Sequence, residues 1–143
     1  PLGAAASAPA RALRACVLEA PGVVRVAAGA LPEPAAGQVR IALEGSGVCA
    51  SNLPMWEGRE WFTYPAPPGA PGHEGWGVID ALGEGVAGLA VGQRVAALSY
   101  AAYATHDLAA ADAVVALPPA LDGLPFPGEP LGCAVNIFRR ADV

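Results

Sequence analysis

Five side chains in this 143-residue chain carry groups that suit a borderline-soft metal ion: Cys49, His73 and Glu74, with Glu129 and Cys133 further on. A thiolate, an imidazole and a carboxylate are donors that Zn²⁺ accepts. A catalytic zinc site takes three such groups from the protein and leaves a fourth position to water or substrate. Ligands of these sites come from distant parts of a chain, so spacing alone leaves two readings open. Cys49 and His73 are either metal donors, or a core thiol and a capped loop histidine. Ser51 stands where it can cap a short helix over 51–57. Cys16 falls in the middle of a strand pattern and reads as a buried structural thiol.

The elements that must position these residues are short. Gly 18 and Pro 15 cut the chain into pieces by turns, which favours a β-rich fold over long helices. Leu13–Leu18 and Val23–Val26 flank Glu19-Ala20-Pro21-Gly22 and read as a hairpin. Val39, Ile41 and Leu43 alternate with Arg40, Ala42 and Glu44, the period of a half-buried strand. Residues 58–72 form a Pro/Gly-rich loop carrying Trp61, Phe62 and Tyr64, which with Trp56 are candidates either to line a pocket or to cover the loop's own core. Further strands are expected at Gly75–Leu82, Arg94–Leu98, Tyr100–Thr105 and Ala113–Leu117. Apolar residues at 131, 134, 135 and 138 predict a helix over 129–141. The expected fold is mainly β, a small barrel or sandwich with short helices and a C-terminal helix. Residues 1–10 read as a flexible lead and 11–143 as one domain.

Composition narrows the function. The net charge is -5, and the eight basic residues are all Arg, scattered singly apart from Arg139-Arg140. No basic stripe exists to follow a phosphate backbone, so nucleic acid is not an expected partner. Three cysteines at irregular spacing do not form a disulfide framework and suit a reducing compartment. No signal peptide or long uncharged apolar window is present, so the expectation is a cytoplasmic protein with no membrane partner.

The local sequence around these residues resembles a known family. Gly72-His73-Glu74-Gly75-Trp76-Gly77, followed by Gly83 and Val86, matches the signature of the zinc-containing medium-chain alcohol dehydrogenases. Gly47-Val48-Cys49-Ala50-Ser51-Asn52 is similar to the segment carrying that family's first zinc ligand. Glu84-Gly85-Val86 with Gly92-Gln93-Arg94-Val95, and Glu129-Pro130-Leu131, resemble two further family segments in the same order. The resemblance implies a GroES-like β barrel and one catalytic zinc, without the four-cysteine structural-zinc lobe. It makes Cys49 and His73 zinc ligands and Glu74 a ligand or a nearby carboxylate. Glu129 becomes the third ligand by motif, with Cys133, one helical turn on, as the alternative. Ser51 becomes the hydroxyl that passes the substrate proton towards solvent. Asn52 stands where the family usually has Asp, a partner that orients the ligand histidine.

The implied reaction oxidises a small-molecule alcohol or polyol to a carbonyl, with hydride passing to NAD or NADP. No Gly-x-Gly-x-x-Gly run both follows a strand and opens a helix here, so cofactor-binding residues are expected outside this chain. The chain reads as cut before that domain and as inactive by itself, with a homodimer or homotetramer expected of the full-length enzyme. Two rival readings are a zinc-free enzyme of the quinone-reductase kind and a non-catalytic GroES-like binding or oligomerisation module.

Overall fold

The alternation at Val39 and Ile41 decides where the core lies. In the computed structural model, which describes residues 12–141, both side chains are fully buried in strand β3 (Gln38–Ser46). They pack with Ile79 from β4 (Gly75–Leu82) and Val95 from β5 (Arg94–Ala97), equally buried. Burying each such side chain contributes about 1.5–3 kcal/mol. Because side chains alternate along a strand, Arg40 points to the opposite face. There its guanidinium donates to Asp80 of β4 at 2.8 Å and to Glu33 at 3.1 Å, and His106 Nε2 lies 3.5 Å from Asp80.

These strands belong to an antiparallel sheet of order β6-β3-β4-β5-β7, where β6 is His106–Ala110 and β7 is Val114–Ala116. Strands β1 (Ala12–Ala20) and β2 (Val23–Ala30) form a separate hairpin turned at Pro21-Gly22, as the turn chemistry predicts. A short 3₁₀ turn (Ala50–Asn52) runs into helix α1 (Leu53–Glu57), and helix α2 spans Gly128–Arg140. Among the described residues no helix is long and apolar enough to cross a membrane. The lead expected at 1–10 lies outside the described residues.

Two local expectations are corrected. Tyr100–Thr105 is not a strand: only Ala104 makes a bridge, to Ala15, and the strand begins at His106. The segment commits its backbone to a neighbouring loop instead. Ala102 N–H donates to the Gly72 carbonyl at 3.0 Å and Tyr103 N–H to the Gly69 carbonyl at 3.0 Å. Ser51 caps no helix either. It lies inside the 3₁₀ turn that Cys49 opens, and neither helical element has a side-chain cap.

Candidate metal centre

Sheet register explains why distant residues meet. In the β3–β4 pairing Ser46 sits opposite Gly75, so the chain leaving β3 and the chain entering β4 run side by side. Gly47 N–H donates to the Glu74 carbonyl at 3.1 Å and extends that pairing beyond the strands. Gly47 must also be small, because a Cβ there would sit 1.8 Å from Glu74 Oε2. Cys49 follows two residues later and opens the turn, its carbonyl accepting Asn52 N–H at 3.0 Å. The result is a compact donor group. One ligand atom each of Cys49, His73 and Glu74 lies within 4.8 Å of the other two.

The electrostatics suit metal capture. The Cys49 thiol is held below its ordinary range, first by hydrogen bonds from the Ser51 hydroxyl and backbone N–H and then by His73. Burial by itself would lower the His73 pKa, but the Pro71 carbonyl, Cys49 and Glu129 outweigh it and the net shift is upward. His73 Nδ1 lies 2.9 Å from the Pro71 carbonyl. A carbonyl only accepts, so Nδ1 carries the proton and Nε2 keeps the lone pair a metal needs. Glu74 is 7% exposed and brings an anionic donor into the group. A thiolate, an imidazole and a carboxylate at this separation fit Zn²⁺.

The remaining expected residues fall around this group. Glu129 sits in the first turn of α2 and does not join the three-residue cluster, although its charge acts on His73. Cys133 donates its thiol proton to Glu129 Oε1 at 2.8 Å, and that bond to a carboxylate raises its pKa. Ser51 is exposed and, with His73, Phe62, Ser99, Asp107 and Glu129, lines a cavity of about 1030 Å³. A second, apolar cavity of about 420 Å³ lies against Cys49, Asn52, Trp56 and Tyr103.

The four aromatic candidates separate. Phe62 lines the larger cavity and Trp56 the smaller. Trp61 is 67% exposed and tilts against Phe62 with ring centroids 6.0 Å apart. Tyr64 donates its hydroxyl proton to the Met55 carbonyl. Cys16 is half-buried and lines both the apolar cavity and a second groove, so it is not a core thiol.

Three features escape the sequence patterns. Asn52 does not orient His73; its amide donates to the Tyr103 hydroxyl at 2.5 Å, while Pro71 orients the imidazole. Asp107 is 6% exposed, and its carboxylate accepts N–H groups of Ala101 at 3.0 Å and Leu108 at 2.7 Å. Burial pushes its pKa up, opposed by the Ser99 hydroxyl and these two amides. His106-Asp107 places two adjacent polar residues in a strand, which hides both from a period-2 reading. Gly83-Glu84-Gly85-Val86-Ala87-Gly88 has glycine spacing of the dinucleotide kind and follows β4. It leads to β5 without a helix, so it lacks the helix N-terminus that binds a pyrophosphate.

Comparisons with known proteins place the central part of the chain in a family. The family model described as "Alcohol dehydrogenase GroES-like domain" matches residues 35–124. An alcohol dehydrogenase of Moraxella sp. is 46% identical over 65 residues, covering 46% of this chain and 19% of that protein. A sorbitol dehydrogenase of Halalkalibacterium halodurans is 48% identical over 67 residues, covering 45% of this chain and 18% of that protein. Among solved structures, galactitol-1-phosphate dehydrogenase from Escherichia coli superposes with a TM-score of 0.74 at 26% identity. That superposition covers 90% of this chain and 45% of the other, so the chain spans less than half the length of its structural relative.

Proposed function

Since the chain belongs to the alcohol dehydrogenase family through its GroES-like domain, we propose that it is the metal-binding catalytic part of a zinc-dependent alcohol or polyol dehydrogenase. The observation that carries this reading is the convergence of Cys49, His73 and Glu74 from two loops beside a cavity large enough for a small alcohol. Cys49, through Sγ, and His73, through Nε2, would hold the ion. Glu74 completes the set, and Glu129 is the further donor at hand, with Cys133 behind it. When bound, zinc supplies Lewis acidity that lowers the pKa of an alcohol hydroxyl and lets it ionise near neutral pH.

The chain's own groups do the rest. Ser51 bonds the Cys49 thiol and lines the larger cavity, where its hydroxyl would receive the alcohol proton and pass it outward. Phe62 and Met55 supply apolar wall that excludes water from the reacting carbon. Hydride would leave for NAD or NADP held by residues outside this chain, because no glycine fingerprint here opens a helix. Accordingly the 143-residue chain supplied with NAD(P) and alcohols should show no turnover, and robust turnover would contradict this part of the reading.

Metal titration tests the site. Adding Co²⁺ to the metal-free chain should give one bound equivalent and a near-ultraviolet thiolate-to-cobalt band that Cys49→Ser removes. Binding without a thiolate band, or a band that survives Cys49→Ser, would refute the assignment.

A further inference from the structure

The two loops that supply the donors are tied together away from the donors themselves. Tyr103 lies in the segment between β5 and β6, which the metal reading leaves without a role. Its backbone is fixed by three bonds: Tyr103 N–H to the Gly69 carbonyl at 3.0 Å, Cys16 N–H to the Tyr103 carbonyl at 2.8 Å, and the neighbouring Ala102 N–H to the Gly72 carbonyl at 3.0 Å. Gly72 immediately precedes His73, and the contact there is tight. A Cβ at Gly72 would stand 2.5 Å from Tyr103 N and 2.9 Å from its ring. From this anchorage the ring lines the apolar cavity, and its hydroxyl accepts the Asn52 amide at 2.5 Å. Asn52 in turn closes the turn opened by Cys49.

We infer that Tyr103 is a positioning residue: through Asn52 it clamps the Cys49 turn to the His73 loop and so holds the thiolate at metal-binding distance from the imidazole. Three links of the clamp are visible in the hydrogen bonds and the glycine contact, and none involves a donor atom. The physical logic is preorganisation. The turn that follows Cys49 contains no buried residue, and Cys49 itself is only half-buried. Gly47 ties only the start of that loop to Glu74. Without a second tie, part of the binding free energy would be spent fixing the turn. The Tyr103 hydroxyl sits in an otherwise apolar cavity, where a hydrogen bond is stronger than in water and an unmade one is costly. The clamp also gives Asn52 a role that an orienting partner for His73 would not, since Pro71 already fills that position.

This inference rests on the metal reading, and its test separates the two. Co²⁺ affinity and the thiolate-to-cobalt band are measured for the 143-residue chain and for Tyr103→Phe, Asn52→Ala and the double variant. Tyr103→Phe keeps the ring against Gly72 and removes only Oη, so the metal-free protein should melt close to the unsubstituted chain. Each single variant should bind Co²⁺ about tenfold or more weakly, in the range found when partners of metal ligands are removed. The double variant should lose no more than the worse single variant, because both break one link. Should Asn52→Ala fail to fold, Asn52→Asp replaces it. Its carboxylate accepts the Tyr103 hydroxyl proton, so it should retain affinity until Tyr103→Phe is added. Unchanged affinity in Tyr103→Phe, or losses that simply add, would overturn the clamp while leaving the metal site standing. An unsubstituted chain with no thiolate band would overturn both.

Discussion

The two sources of donor atoms are held in different ways. Cys49, His73 and Glu74 sit on loops fixed by the β3–β4 register, by the Gly47–Glu74 bond and by the Tyr103–Asn52 bond. Glu129 and Cys133 ride on α2, which has no buried residue; Leu131, Val135 and Phe138 are 54%, 56% and 70% exposed. The start of α2 touches the sheet at Gly128, where a Cβ would stand 2.7 Å from Ala96. The first group is tied by bonds across the fold, and the second stands on a helix whose apolar side chains are largely exposed.

The difference can be broken from either side. Ile41→Ala should have the largest effect, costing about 2–5 kcal/mol, because Ile41 is fully buried beside the strand pairing that sets the register. Chemical denaturation measures the loss, and Co²⁺ binding should weaken with it. Gly47→Ala should cost about 1–3 kcal/mol through overpacking and should displace the Glu74 carboxylate. Its mark is a drop in metal affinity out of proportion to the change in melting temperature.

Asp107 should give a smaller, pH-dependent effect. Burial raises its folded pKa above that of the unfolded chain. Its contribution is therefore favourable at pH values below the ordinary carboxylate pKa and is lost as pH rises through the folded value. Asp107→Asn should flatten the stability profile in that acid range; an unchanged slope in urea melts across it would contradict the direction. Val135→Ser on α2 should have the least effect, within about 0.5 kcal/mol in the 143-residue chain, because that side chain is 56% exposed.

How much of this was readable in the residues depends on the kind of signal. Alternation placed Val39 and Ile41 in the core, Pro21-Gly22 marked the hairpin, and the apolar spacing at 131, 134, 135 and 138 marked α2. The motif residues Cys49, His73 and Glu74 each place a donor atom within 4.8 Å of the other two. What escaped was decided by side chains meeting across the fold. Ser51 looked like a cap because a hydroxyl before a short helix usually is one, yet the turn begins at Cys49 and its hydroxyl bonds the thiol. Tyr100–Thr105 has strand propensity, but its amides pair with the loop at Gly69 and Gly72. Asn52 matches the family position, and only the placement of Tyr103 reveals that its amide points elsewhere.

The most direct test of the account is zinc K-edge X-ray absorption on the chain loaded with one equivalent of Zn²⁺. The prediction is a single sulfur scatterer at about 2.3 Å, with nitrogen and oxygen filling the rest of the shell. A shell of nitrogen and oxygen alone would contradict the central claim that Cys49 and His73 share the ion.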